Sequence, residues 1–285
     1  MIWVDLFPPI FFIFALLIQK TMSMKTVTQH IQATLVLSML LIASLTIKAQ
    51  ETIQIQIPTI EMVYVRGGEF IMGCTGEQRA DCLIDETPAH LVRQSDFLIS
   101  KYEVTQELWM AVMRGKNPSK VIGDSLPVTR VTWYAAREFS QKLSKLTGKK
   151  YRLPTESEWE YAARGGQLSR GYKYSGSDNL AEVAWYKKNS GRKPQRVGTK
   201  KPNELGIYDM SGNVYEWCYD GFENYEMSLS GNIVDPYGDD WSHVKIIRGG
   251  SMTSFPDVCR NSARTRATDT YQYNFVGFRL AMDVE

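Results

Sequence analysis

Hydrophobic and polar positions alternate, then recur with helical spacing, then lose any period along this chain, and the changes of pattern mark its elements. From Ile60 to Phe70 (IEMVYVRGGEF) two apolar-rich runs flank a Gly-Gly turn, which predicts a strand, a turn and the start of a second strand. Gly73–Pro88 is polar and turn-rich, hence a loop, and His90–Ile99 alternates like a further strand. Thr105 stands as N-cap before Gln106–Met113, where Leu108, Trp109 and Val112 share a helical face. A longer helix is predicted over Trp133–Leu146, stopped by Gly148. The phrase PTESEWEYAARGG carries the sharpest local signal: Thr155 as N-cap, Glu158 completing a capping box, Gly165 as left-handed stop. Beyond Gly166 the helical period fades, and Gly, Asn, Asp, Pro and aromatics dominate through Trp241, a composition of long turn-held loops. Short strands return at Val244–Arg248 and Gly277–Met282. No repeat or interdomain linker interrupts the series, so one domain of the α+β class with little regular structure is expected over 58–285.

The N-terminal pattern is different in kind. From Met24 the chain has a basic start (Lys25), an apolar core from about Ala33 to Ile47, and the small residue Ala49 before Gln50. That is a signal-peptide layout over 24–49, with cleavage after Ala49 and a tether over 50–57, and it predicts a secreted or periplasmic protein. No cysteine follows the apolar core, which speaks against a lipoprotein-type anchor. Residues 1–23 hold a second apolar run, Leu6–Ile18, broken by Pro8 and Pro9. It reads either as half of a membrane hairpin or as an extension ahead of the true start at Met22 or Met24. The second reading is preferred, because Met24 opens a complete signal on its own.

Charge excludes little but excludes it clearly. Lys20, Lys25 and Lys48 face only Asp5 in the first 49 residues, so the remainder is neutral, without the basic footprint of a nucleic-acid binder. Membrane contact is expected through the signal segment alone. Four cysteines in an exported chain favour disulfides. Cys74 and Cys82 close a short turn-rich loop and are expected to pair, leaving Cys218 with Cys259 by elimination. No CxxC spacing points to structural zinc.

Seven phrases in order, MVYVRGGEFIMG, EVTQELW, LPVTRVTWYAAREF, YRLPTESEWEYAARGG, NELGIYDMSGNVYEWC, IIRGGSM and GFRLA, resemble the formylglycine-generating (sulfatase-modifying factor) family. The resemblance implies a C-type-lectin-like variant fold. It also implies, for the family's oxidases, a Cu(I) ion held by two cysteines and the O₂-dependent conversion of a sulfatase cysteine to formylglycine. Those cysteines follow the Gly-Gly-Ser turn by three and eight residues, which here are Ser254 and Cys259 after Ser251. A serine hydroxyl is a hard, poorly ionised donor, so a single thiolate cannot build the soft Cu(I) site and copper is not expected. Met252, Phe255 and Tyr215 depart from the family pattern in the same neighbourhood, while Ser251 is retained. Iron-dependent branches use histidines on an extra helical domain. The mature chain has only His90 and His243 and no such domain. A calcium site is implied on Asp209 and Glu216 side chains with the Gly212 and Val214 carbonyls, hard oxygens suited to that ion. The family's second calcium loop, at Trp185–Gly198, is short and basic here and is not carried over.

Plainer roles stand beside these. Glu156, Glu158 and Glu160 fit a first helical turn, where the helix dipole favours acids. Arg248, Arg260, Arg264, Arg266 and Arg279 fit the tying of loops through carboxylates and carbonyls. Lys187–Arg196 fits a solvated loop, and Trp133, Trp159, Trp185, Trp217 and Trp241 fit core anchors. The expected function is a calcium-supported binding or accessory module with a protein or glycan ligand. The alternatives are an oxidase acting on a sulfatase client, with Cys259 and Ser251 as reacting residues, and a carbohydrate-binding module.

Overall fold

The computed structural model describes residues 29–39, 56–225, 234–238 and 241–284. Contacts divide the chain into two units, 1–55 and 56–285. In the first, 29–39 is helical, and the rest of the predicted signal lies outside the described residues. Among the described residues no helix is long and apolar enough to cross a membrane.

In the second unit three helices form where capping chemistry demands them. Thr105 accepts from the Leu108 amide to start α1 (Gln106–Met113), and Thr132 from Ala135 to start α2 (Trp133–Thr147). Thr155 and Glu158 form a complete capping box ahead of α3 (Glu156–Ala163). Gly148 and Gly165 take the left-handed conformation at the ends of α2 and α3, as the stop signals require. A further short helix, α4 (Leu180–Val183), is capped by Asn179.

Among the described residues nine strands pair into three sheets: β1 (Met62–Val65), β2 (Gly68–Met72), β3 (His90–Gln94), β4 (Phe97–Ser100), β5 (Tyr215–Gly221), β6 (Val244–Arg248), β7 (Arg264–Thr268), β8 (Val276–Gly277) and β9 (Ala281–Asp283). Their orders are β1-β4-β9, β2-β3 and β7-β6-β5-β8. The Gly-Gly turn does not make a hairpin. It hands the chain from one sheet to another, since β1 pairs with β4 and β2 with β3. The alternating run His90–Ile99 is likewise two strands, broken where Asp96 accepts the Gly67 amide and Asp235 the Ser95 amide.

β5 and β7 were not legible from period. β5 (YEWCYDG) is covered along almost its whole length, so it shows no polar face to alternate against. Its Trp217 is fully buried, as are Trp133 and Trp159, and each indole N–H has a partner: the carbonyls of Val131 and Cys218, and the Glu216 carboxylate. Trp109 stacks on Phe139, which meets Phe278 edge-on, and this aromatic spine joins α1 and α2 to the C-terminal segment. Trp241, expected in the core, is 85% exposed.

The interior is also laced by ion pairs. Arg264 grips Glu156 through two bonds of 2.7 and 2.8 Å. Arg260 does the same to Glu86 at 2.5 and 2.7 Å. Arg248 and Arg164 share Glu160, and Arg152 holds Glu158. The three glutamates of α3 are therefore anchors for arginines from distant segments, which corrects the reading of them as dipole partners alone. The tying role expected of Arg248, Arg260, Arg264 and Arg279 is seen directly. Such pairs repay their desolvation only when geometry is excellent, and here most are bidentate.

Candidate functional site

The turn Gly249-Gly250-Ser251 follows β6, with both glycines at positive φ (92° and 74°). A Cβ on Gly250 would lie 2.6 Å from the Cys259 sulfur, so that glycine lets the thiol approach the backbone. A short 3₁₀ turn, Pro256–Cys259, then brings Cys259 inward beneath it. Ser251, Ser254 and Cys259 thereby converge on the Ser251 amide: it donates to Ser254 Oγ at 2.9 Å and faces the thiol.

The site is a cluster of hydroxyls. Ser251 Oγ lies 3.0 Å from Thr253 Oγ1 and 3.1 Å from Ser254 Oγ, which donates to the Tyr215 hydroxyl at 3.4 Å. Tyr215 opens an aromatic row through Phe275 and Tyr273 to the exposed Tyr271, at successive centroid distances of 6.1, 5.4 and 4.4 Å. On the other flank Phe255 is 60% exposed beneath the Lys187 ammonium, 3.7 Å from its ring centroid. Burial, with the Asp257 charge adding to it, pushes the Cys259 thiol up to about 12. At neutral pH it is a protonated, buried group that donates weakly to the Phe255 carbonyl at 3.5 Å.

Cys259 and Cys218 are both free and buried, which overturns their expected disulfide. The physical reason is partition: Cys218 sits on β5 in the cluster of Trp159 and Ile246, Cys259 in a separate one with Tyr174 and Tyr186. Cys74 and Cys82 are bonded, as their short loop led one to expect.

The turn Tyr208–Glu216 lies against this site, since Ser211 Oγ donates to the Cys259 carbonyl at 2.8 Å and the Met252 amide to the Asn213 carbonyl at 2.7 Å. Asp209, Gly212 and Asn213 all take positive φ. Asp209 Oδ2 accepts the Gly198 amide at 2.7 Å, while its Oδ1 is buried without a hydrogen-bond partner. Glu216 is committed elsewhere: Arg279 donates to its two oxygens at 2.6 and 2.7 Å, and Trp159 adds a third bond. Sequence reasoning missed Glu103, whose carboxylate accepts from Asn213 Nδ2 at 2.5 Å and the Val214 amide at 3.2 Å. A glutamate just after a strand looks like any surface residue until the fold buries it. Burial, then the Asp209 and Glu216 charges, hold Glu103 well above the usual carboxylate range. Burial pushes Asp209 up to about 6, the Glu216 charge adding to it and the Gly198 amide and Arg279 opposing.

A model of the sulfatase-modifying factor enzyme 1-like domain matches residues 48–284. The chain belongs to that family. Chaperone protein LppX of Paenibacillus barcinonensis is 44% identical over 45% of this chain and 64% of its own length. The formylglycine-generating enzyme of Streptomyces coelicolor is 34% identical over 56% of this chain and 53% of its own. This chain thus spans about half to two-thirds of the length of these relatives. Among solved structures, Treponema denticola variable protein 1 superposes with a TM-score of 0.70 at 30% identity, covering 80% of this chain and 98% of that one. The C-type-lectin-like variant of the sulfatase-modifying factor fold is thereby established.

Copper(I) does not fit. Ser254 offers a hydroxyl already engaged with Tyr215 and Ser251, and Cys259 holds its proton. Calcium fits on an amended donor set. The open Asp209 Oδ1 and the excess of Glu103, Asp209 and Glu216 over Arg279 suit a hard cation, whereas Glu216 is Arg279's partner. Asp209 and Glu103 would hold the ion with carbonyls of the Gly212–Val214 turn, and it would supply charge balance rather than reactivity.

Proposed function

We propose that this chain is an exported, calcium-supported member of the sulfatase-modifying factor family that acts as a binding or accessory module without copper oxidase chemistry. One observation carries the reading: where the oxidases place their first cysteine stands Ser254, hydrogen-bonded among hydroxyls, opposite a thiol that burial keeps protonated. None of the hydroxyl partners seen is an imidazole or carboxylate that would activate a serine as nucleophile. What the site offers instead is a surface above the buried hydroxyls: exposed Thr253 and Phe255, with Lys187 against the Phe255 ring and Tyr271 at the far end of the aromatic row. Large exposed aromatics around fixed polar groups are the composition of a contact patch. Similarity to a protein named as a chaperone supports an accessory role. The signal-peptide layout of 24–49 supports export.

The test pairs two assays on the mature chain: Cu(I) binding by competition with a chelator, and O₂-dependent conversion of a sulfatase-motif peptide. Neither is expected from the wild type. Conversion at enzymatic rates by the wild type would overturn the reading. Conversion gained by Ser254→Cys would show that only the ligand was lost.

A further inference from the structure

A second concavity, sharing no residue with the Ser251–Cys259 site, opens between three segments remote in sequence. Its volume is about 680 Å³, within the range of small-molecule sites. Gln94, Ser95 and Asp96 form one wall, at the turn between β3 and β4. Arg152, Thr155 and Glu158, around the start of α3, line the concavity as well. Asp235 is bonded to Gln94 and Ser95 and belongs to that same wall, while Tyr219 of β5, Tyr237 and Asp283 complete the lining.

The polar groups here are already fixed in place. Asp235 accepts the Ser95 backbone amide and hydroxyl, both at 2.6 Å, and the Gln94 side-chain Nε2 at 2.9 Å. Glu158 accepts both Arg152 terminal nitrogens, at 2.6 and 2.7 Å, and the Thr155 amide at 2.8 Å. Arg152 also holds Asp283. A carboxylate oxygen can accept twice, so these anchored groups keep acceptor capacity for a ligand without having to be ordered by it. Beside them stand groups that both donate and accept: the Tyr219 and Tyr237 hydroxyls, Ser95 and Thr155. The Tyr237 side chain is 73% exposed, a ring face free for stacking.

Ligand chemistry follows from that mixture. Four carboxylates (Asp96, Glu158, Asp235, Asp283) against the one guanidinium of Arg152 repel an acidic ligand. An ammonium group could donate to the carboxylates and to the hydroxyl oxygens, but offers no acceptor for the hydroxyl protons. A vicinal diol gives two O–H donors, which Asp96 can take together because each of its oxygens accepts only once, from the Gly67 amide and the Tyr64 hydroxyl; the diol accepts in return, while the ring carrying it presents a flat C–H face to tyrosine. We propose that this cleft binds a neutral saccharide directly, without a bridging calcium ion. The proposal is independent of the accessory reading of the Ser251 site, so either can fail alone.

Saturation-transfer NMR and calorimetry with cellobiose, lactose, mannobiose and chitobiose, in EDTA, test it. A heparin disaccharide and tetralysine serve as charged probes. At least one neutral disaccharide is expected to bind, and Tyr237→Ala to weaken it by about tenfold or more. Tyr237→Phe should retain most of the affinity, and Phe255→Ala, on the other site, all of it. Tyr237 is exposed, so these variants leave the fold intact, and circular dichroism checks that they do. No neutral sugar bound, binding that needs calcium, tetralysine bound in preference, or full affinity in Tyr237→Ala would each overturn the proposal.

Discussion

Arg279 and Glu216 meet face to face in the interior, with guanidinium Nε and Nη2 donating to the two carboxylate oxygens at 2.6 and 2.7 Å. Both side chains are essentially inaccessible to water. The same arginine reaches the carbonyls of Ser100 and Tyr208, so one residue near the C-terminus ties the end of β4 and both ends of the Tyr208–Glu216 turn to its own segment.

Breaking that pair leaves a buried, uncompensated charge. Glu216→Gln is therefore expected to destabilise the domain by about 3–5 kcal/mol, read as a lowered denaturant midpoint. Arg279→Lys should also lose stability, because an ammonium cannot reproduce the planar two-bond grip. Near-wild-type midpoints in both variants would contradict the role assigned to the pair.

Calcium is expected to act at Asp209 rather than Glu216. Saturating Ca²⁺ should raise the melting temperature of the wild type by roughly 5 °C or more. Asp209→Asn should remove most of that gain, whereas Glu216→Gln should melt lower with the calcium increment retained. An increment unchanged in Asp209→Asn rejects the amended donor set.

Thiol counting separates the observed cysteine arrangement from the expected one. With a chromogenic disulfide reagent and no reductant, the folded protein should show no reactive thiol. The unfolded protein should show two, Cys218 and Cys259. A bond between them would give none in either state.

Asp220 should set part of the pH dependence of stability. It accepts the Glu156 and Gly238 amides at 2.6 and 2.5 Å, and burial, with the Glu156 charge adding to it, raises its pKa from 3.8 to about 7. The folded chain thus binds the proton more tightly than the unfolded one. Its contribution is most favourable below about pH 4 and is lost as pH climbs through about 7. Asp220→Asn does not titrate, so its stability relative to wild type should improve from about pH 5 to pH 8, whatever its offset. A difference that stays flat with pH would show that Asp220 does not titrate there.

Legibility followed the range of the forces. Thr155 with Glu158, Thr105 and Gly148 act within a turn or two of chain, and the helices they bound stand where their chemistry put them. The Cys74–Cys82 loop closes within its own segment in the same way. Seven phrases in register carried the fold, and Ser254 in place of cysteine was visible as a single letter.

The tertiary structure decided everything that depends on a distant partner. Burial on β5 hid its period, and Glu156, Glu158 and Glu160 became ion-pair anchors only because arginines from other segments arrive there. Cys218 and Cys259 were kept apart by falling into different clusters, which no count of cysteines could foresee. Glu103, Asp209 and Glu216 acquired their charge imbalance by being drawn together around one Arg279. Capping and local turns act within a few residues of chain, whereas pairing, burial and charge balance are settled only where the folded chain meets itself.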